Sequence, residues 1–278
     1  MGKKSRRRVK AVKGQMPFVA RTFGGVPGEC DWVALREMVP AATATLKIAG
    51  TDKTVRVCSL LPGANAGLVR PNGEVRIGLQ VEHNFGDISR DLAHALEIGL
   101  GAEPGLPIAM TDAGIGKRLQ DLVATDATFE VEVHDGFEYW IEDVDDTDSA
   151  RAMLEMANRS ITPTVRLSGV DAAYWTRIGE RRFLRWVMPH DESTLLNALA
   201  RLHQAGASAL GEGIRLIGSF RAHGLRVPVW ELPGTLEADS LEQPAAEFAT
   251  RLDEALADKS ELTPYTNGSL CVYVAIAT

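Results

Sequence analysis

Cysteine, aromatic residues and long apolar runs are all scarce in this chain of 278 residues. Its three cysteines (Cys30, Cys58 and Cys271) are odd in number and far apart, which argues against a disulfide framework and against a structural zinc site. No stretch reaches the roughly 18 apolar residues that a membrane-spanning helix needs. Residues 11–17 are too polar for the apolar part of a signal peptide. We therefore expect a cytoplasmic protein without a membrane span.

Three motifs of common enzymes and binding proteins are incomplete. Thr111 stands where a phosphate-binding loop needs its first glycine, and Arg118 stands where it needs the hydroxyl that binds magnesium. Residues 206–211 contain one residue too many for the nucleophile elbow of a serine hydrolase. The acidic segment 142–148 does not continue with the glycine and glutamate of a helix–loop–helix calcium site. These chemistries are therefore not expected.

Charge is present but unevenly distributed. The net charge is −7, yet residues 1–14 contain seven basic residues and no acidic one. The rest of the chain therefore carries 23 basic residues against 37 acidic ones, a net charge of −14. An acidic body repels polyanions, whereas a basic tail attracts them in a salt-dependent way. The candidate polyanion-binding residues are Lys3, Lys4, Arg6, Arg7, Arg8, Lys10 and Lys13.

Alternating apolar segments, turn residues and helical periodicity predict an α+β fold. We expect antiparallel sheets built from about four repeated hairpin-helix units, with the helices packed on one face. The predicted units are strands at 43–48, 54–60 and 74–82 with a helix at 87–99, a hairpin at 129–142 with a helix at 149–159, a hairpin at 174–188 with a helix at 191–205, and a hairpin at 214–232 with a helix at 241–257. A last strand is predicted at 270–277.

Composition and repetition suggest how the chain is divided. Residues 1–16 are predicted to be a disordered basic tail, 17–125 a first α+β half and 126–278 a second α+β half. A shift of 46 residues places Trp140 on Trp186 without gaps and aligns acidic residues that precede each following helix. Internal duplication is one interpretation of this match. The other is that every junction between a strand and a helix has an acidic cap and apolar periodicity.

One cluster has metal-binding chemistry. Asp87, Asp91 and His94 share one flank of the predicted helix, and His83 lies just before it. Imidazole and carboxylate groups are ligands of zinc and manganese, so a divalent metal is the one candidate cofactor. The structural alternative is that Asp87 caps the helix, Asp91 faces water and His94 lies beside charged neighbours.

Large aromatic residues lie on the predicted strands. They could line a groove that stacks bases or a peptide, although such residues more often form the core of a sheet. The five are Trp140, Tyr174, Trp175, Trp186 and Trp230.

Three segments near the start carry a resemblance to a known family. They are PFVAR at 17–21, PGECDWVALRE at 27–37 and VPAATA at 39–44, after the basic start. With these segments the chain resembles an actinobacterial family of uncharacterised proteins, a domain of unknown function, over nearly its whole length. The resemblance implies no activity.

Two functional hypotheses follow. In the favoured one, the chain is a non-enzymatic binding or adaptor protein. Its tail would contact RNA, the ribosome or an acidic protein, and its body would bind a protein partner. In the alternative it is a metal-dependent hydrolase in which His83, Asp87, Asp91 and His94 hold the metal that activates water.

Overall fold

The computed structural model describes residues 18–53, 55–82, 84–142 and 147–260. The helices in these ranges are α1 (Glu29–Glu37), α2 (Ile88–Gly101), α3 (Leu119–Leu122), α4 (Asp148–Asn158), α5 (Glu192–Gln204) and α6 (Glu242–Ala257). The strands are β1 (Ala42–Leu46), β2 (Val55–Cys58), β3 (Gly67–Val69), β4 (Val75–Gly78), β5 (Pro107–Ile108), β6 (Val131–Val133), β7 (Thr164–Arg166), β8 (Ala173–Ile178), β9 (Arg181–Trp186), β10 (Arg215–Ala222) and β11 (Leu225–Leu232).

The strands form two sheets that are mostly antiparallel. The first has the order β5-β3-β4-β2-β1-β6, in which only β2 and β4 run parallel. The second has the order β10-β11-β9-β8-β7 and is antiparallel throughout. The predicted α+β class with antiparallel sheets is therefore confirmed. The short β3, β5 and α3 are not among the predicted elements.

The turn between β3 and β4 shows how local sequence sets these pairings. Gly73 adopts a φ of 87°, which a side chain would strain, and Asn72 Oδ1 accepts a 2.9 Å hydrogen bond from the Glu74 N–H. The Arg70 N–H donates to the Glu74 carbonyl at 2.8 Å and closes the hairpin. The Pro71-Asn72-Gly73 sequence, which is typical of a turn, forms one here.

One of the four predicted hairpin-helix units is wrong. Hairpins precede α2, α5 and α6, but residues 129–142 do not form one. Instead β6 pairs with β1, and Glu138–Trp140 forms a 3-10 helix. The rings of Phe137 and Trp140 stack with centroids 4.4 Å apart and join a hydrophobic cluster against the first sheet, which draws the chain out of the strand. Trp140 and Trp186 therefore lie in different kinds of structure, so their alignment does not superpose equivalent elements.

Helices lie on both faces of each sheet, since α1 packs against the face of the second sheet that is opposite α5 and α6. Trp186 and Trp230 point from the second sheet into a core that α5 and α6 complete. In the first sheet, Val75 and Ile77 face α2. On the opposite face, Cys58 packs in the same cluster as Leu154 of α4. The expectation of helices on a single face is thus wrong for both sheets, because strands with apolar residues on both faces need cover on both.

The two sheets share a hydrophobic core. Trp32 of α1 belongs to the same buried cluster as residues of both sheets, including Tyr174 and Val227. Strand β6 joins the first sheet, and the second sheet begins at Thr164. The division at 125/126 stays a prediction, and the basic tail and the predicted strand at 270–277 lie outside the described residues.

Candidate functional site

The outermost strand of the first sheet has an open side. Strand β6 pairs with β1, with Val133 opposite Ala42 and Val131 opposite Ala44, and no other described strand pairs with it. The His134 N–H donates to the Ala41 carbonyl at 2.9 Å. Because antiparallel pairs alternate, the backbone groups of Val131 and Val133 point away from β1. They make no strand pairing among the described residues, although β7 lies near this edge, and we call it the free edge.

Three surface cavities follow this edge. Their volumes are about 310, 450 and 690 Å³, and Glu130 lines all three. Two lie along β1, where Thr45 lines both, and the third lies beside the start of α1. Volumes of this size suit small ligands or peptide side chains. We call these cavities and the free edge at residues 126–134 the β6 groove.

Acidic side chains dominate the β6 groove. Glu132 is exposed on the strand, Glu130 is exposed directly before it, and Asp171 is exposed beside the third cavity. The cations nearby are already paired with acids: Lys47 Nζ lies 2.7 Å from Asp126 Oδ2. The groove therefore presents an excess of negative charge, which favours a cationic ligand.

A fixed ionic network forms one wall of the smallest cavity. Arg76 donates from Nε to Glu74 Oε2 at 2.7 Å and from Nη2 to Glu142 Oε2 at 2.8 Å. Arg56 also contacts both acids, at 3.1 Å and 2.7 Å. Burial alone would raise the pKa of Glu142, but the two guanidinium groups outweigh it and lower that pKa. This wall stays charged at neutral pH and holds its shape.

A second ionic cluster lies under the largest cavity. Arg166 Nε and Nη2 donate to the two carboxylate oxygens of Asp31 at 3.1 and 3.0 Å, and the Tyr174 hydroxyl donates to Oδ1 at 2.6 Å. Cys30 lines the same cavity, and burial, with Glu29 and Asp31 adding to it, raises the pKa of its thiol to about 12. The thiol is thus protonated at neutral pH and is a poor nucleophile.

The predicted metal ligands are used in other ways. Asp87 caps α2, accepting from the Ser89 N–H at 3.1 Å, and its carboxylate binds Arg118 Nε at 2.7 Å. Asp91 is only 1% exposed rather than facing water, and it accepts from the Phe85 N–H at 2.8 Å. His94 lies 3.3 Å from the Thr111 hydroxyl. In the part of the chain that the structure describes, no group of three or more His, Cys, Asp or Glu residues could hold a metal.

Two sets of predicted residues lie outside the described ranges. His83 is one, so the four-residue site as a whole stays a prediction. The seven basic residues of the tail are the other, and their polyanion contact likewise stays a prediction.

The large aromatic residues belong to the core. All five are at most 7% exposed, so they do not line an open stacking groove: Trp140, Tyr174, Trp175, Trp186 and Trp230. Trp230 Nε1 donates to the Ser208 carbonyl at 3.0 Å, which satisfies its only polar atom. The core interpretation of these residues is confirmed.

The β6 groove does not follow from the predicted elements. The segment was predicted as the first arm of a hairpin, which gave its open side a partner. The alternation of Glu130 and Glu132 with Val131 and Val133 was the available signal. It marks a strand with one acidic, exposed face.

Comparison with known proteins gives a family and no activity. No curated protein and no solved structure matches the chain. None of the helices in the described ranges is long and apolar enough to cross a membrane. A family model described as a family of unknown function (DUF5926) matches residues 22–269. Because that match covers most of the 278 residues, the chain belongs to this family of unknown function.

Proposed function

We propose that this protein is a non-enzymatic binding or adaptor protein of the cytoplasm. Its body holds an extended, basic segment of a protein partner in the β6 groove, and its basic tail contacts RNA, including RNA on the ribosome. The observation that carries the proposal is the unpaired backbone of Val131 and Val133 beside an acidic strand face.

The body would bind by strand addition. An extended peptide can pair with the outward N–H and C=O groups of Val131 and Val133, as in other complexes that add a strand to a free edge. Alternate side chains of that peptide would face Glu130 and Glu132, where lysine or arginine is favoured over acidic residues. Backbone pairing would supply affinity, and the acidic face would supply the preference for a basic partner.

The tail would bind by charge alone. Seven cations within residues 1–14 can neutralise several phosphates, and the affinity would fall steeply with salt. If all seven engage single-stranded RNA, the logarithm of the affinity is expected to fall with a slope of about −5 against the logarithm of salt concentration. The acidic body has the wrong charge for this contact, so it should depend on the tail.

Peptide binding tests the groove. The probe is a fluorescent heptapeptide of alternating lysine and valine, measured by anisotropy on the full chain. Val131→Pro removes an outward N–H while leaving the hydrogen bonds to β1 in place, and Glu130→Lys with Glu132→Lys reverses the acidic face. Each change should weaken binding about tenfold or more, equivalent to about 1.4 kcal/mol.

The control is Glu254→Lys, an exposed charge reversal on α6 that should leave binding unchanged. Circular dichroism and the melting temperature show whether Val131→Pro remains folded. Wild-type affinity in both groove variants would overturn the proposal for the body.

RNA retention tests the tail. The full chain is compared with a variant in which the seven tail cations are replaced by glutamine, so that length is kept and charge is removed. Loss of RNA binding at low salt in this variant supports the tail contact. Equal retention contradicts it. Stronger binding of the lysine–valine peptide after tail neutralisation would instead show that the tail competes for the β6 groove.

A further inference from the structure

A small cavity lies where the end of α1 meets the second sheet. Its volume is about 230 Å³. Met38, Pro40 and Gln80 line it from the first half of the chain, and Thr162, Ile178 and Arg185 line it from the second. It is separate from the β6 groove, since none of these residues lines the three cavities there.

Arg185 is the unusual member of this lining. Its Nη2 donates to the Met38 carbonyl at 3.0 Å, while its Nε is buried without a hydrogen-bond partner. Burial lowers the pKa of Arg185 to about 10, and no charge among the described residues offsets that effect. Among the described residues no carboxylate forms an ion pair with this guanidinium, although Glu37 lines the same cavity.

Two buried arginines in the fold do have acidic partners. Arg76 pairs with Glu74 and Arg226 pairs with Glu192. A buried cation without an acidic partner costs roughly several kcal/mol. Such a group is well suited to a ligand that brings the missing negative charge.

We propose that this cavity binds a carboxylate that carries a short apolar group, with Arg185 as its counter-ion. Nη2 is occupied by Met38 and Nε is buried, so Nη1 is the nitrogen that remains for the ligand. The ligand is the C-terminal residue of a peptide or a free acid of the same chemistry.

The other residues that line the cavity favour a carboxylate with a short apolar group. Met38, Pro40 and Ile178 offer apolar surface, and the side chain of Ile178 is 52% exposed with no described cover. Gln80 Nε2 donates to the Leu35 and Val39 carbonyls, so its Oε1 stays available to accept an amide N–H from a peptide. These groups match the carboxylate, apolar side chain and amide of one terminal residue.

The charge of the cavity argues against phosphate. Glu37 lines its edge, and its hydrogen bond from His223 Nε2 at 2.8 Å lowers the pKa of the carboxyl group, which keeps it ionised at neutral pH. Next to this carboxylate a dianion would meet stronger repulsion than a monoanion, so the cavity disfavours phosphate relative to a carboxylate. The small volume likewise suits a terminal residue rather than a nucleotide.

Calorimetry on the full chain tests the proposal with N-acetyl-leucine, 4-methylpentanoate and the neutral N-acetyl-leucinamide. Both acids should bind, and the amide should bind at least tenfold more weakly. Arg185→Gln keeps a donor for the Met38 carbonyl and should weaken the acids by tenfold or more. Arg177→Gln, an exposed arginine on β8, is the matched control and should leave binding unchanged.

The three compounds distinguish a peptide terminus from a free acid as the ligand. They also separate results that support the proposal from results that overturn it. If only N-acetyl-leucine binds, the ligand is a peptide terminus; if 4-methylpentanoate binds as well, a free acid suffices. Equal binding of the amide, tighter binding of inorganic phosphate, or no binding of either acid below about 10 mM overturns the proposal. The comparison of acid with amide needs only the wild-type protein, so it holds even if Arg185→Gln does not fold.

Glu130→Lys with Glu132→Lys should leave acid binding intact. Failure of the β6 groove and failure of this cavity are therefore distinguishable.

Discussion

The hydroxyl of Tyr174 donates a 2.6 Å hydrogen bond to Asp31 Oδ1 and so joins strand β8 of the second sheet to helix α1. Asp31 is 6% exposed and Tyr174 is fully buried. Burial, reinforced by the charge of Asp31, raises the pKa of Tyr174 well above its usual value, so the hydroxyl keeps its proton and remains a donor. Arg166 from β7 supplies the opposing charge. This contact fixes the two halves of the chain to each other at the floor of the largest cavity.

Tyr174→Phe should lower the free energy of unfolding by about 1.5–3 kcal/mol, because it removes a hydrogen bond to a buried carboxylate. Tyr139→Phe is the matched control, since Tyr139 is also buried but donates to the neutral Leu60 carbonyl at 2.8 Å. Trp140 still donates to that carbonyl, so the control should lose only about 0.5–1.5 kcal/mol. Urea denaturation measures both, and equal losses would contradict the special role of Asp31.

The hairpin between β10 and β11 touches the start of the described chain. Gly224 has a φ of +84°, and a Cβ placed there would lie 1.9 Å from the Ala20 carbonyl oxygen. The adjacent Thr22 N–H donates to the His223 carbonyl at 3.3 Å. The turn therefore holds residues 20–22 against the second sheet.

Gly224→Ala should destabilise the protein more than Gly73→Ala. Gly73 has a similar φ of +87° but open space around it, so alanine there pays only the left-handed backbone cost of about 1–2 kcal/mol. At Gly224 the clash adds about 1–3 kcal/mol. Thermal and urea unfolding of the two variants provide the comparison. Equal destabilisation would mean that residues 20–22 move aside without cost.

Much of the second sheet could be predicted from the sequence. Strands β8 to β11 and helices α5 and α6 follow local signals: alternation, two-residue turns and an acidic cap such as Asp191, whose side chain accepts from the Thr194 N–H. Each hairpin is closed between neighbours in sequence, so periodicity and turn residues are sufficient to find it.

The strand pairing of the first sheet is harder to predict, because the paired strands are distant in sequence. The partner of β6 is β1, about 90 residues earlier, and no local pattern specifies that choice. Local sequence likewise does not predict the environment of the Asp91 side chain. It lies among charged residues in sequence, yet tertiary packing buries it, and its Oδ1 has no hydrogen-bond partner.

Asp91→Asn should become more stabilising as pH rises. Burial raises the pKa of Asp91, outweighing the Phe85 N–H and the charges of Arg36 and Arg90, and the charge of Asp87 adds to the rise. The folded state therefore holds this proton more tightly than the unfolded chain. The stability due to protonated Asp91 is complete below the unfolded pKa near 4 and is lost as pH rises through the folded pKa.

Asparagine does not ionise, and its side-chain oxygen can still accept from the Phe85 N–H. The variant should match the wild type at low pH and exceed it progressively as pH rises toward 7. Urea titrations at a series of pH values measure the difference. A constant difference across that range would show that Asp91 does not titrate abnormally.

Asp87→Ala should cost more stability than loss of an ordinary helix cap. Asp87 is 7% exposed, and its carboxylate both caps α2 and binds Arg118. Thr147→Ala removes the exposed cap of α4, which accepts from the Ala150 N–H at 3.2 Å, and should cost about 0.5–1 kcal/mol. Asp87→Ala should cost at least about 2 kcal/mol, because Arg118 also loses its partner.

Adding zinc to the same variants tests the metal site, because a metal that binds the folded state raises its melting temperature by mass action. In the described structure the Asp87 carboxylate is already engaged by Arg118 and by backbone N–H groups, so zinc or manganese should leave the melting temperature of the wild type unchanged. A rise that disappears in Asp87→Ala and in His94→Ala, but persists in Thr147→Ala, would instead assign a metal to the helix flank and favour the hydrolase.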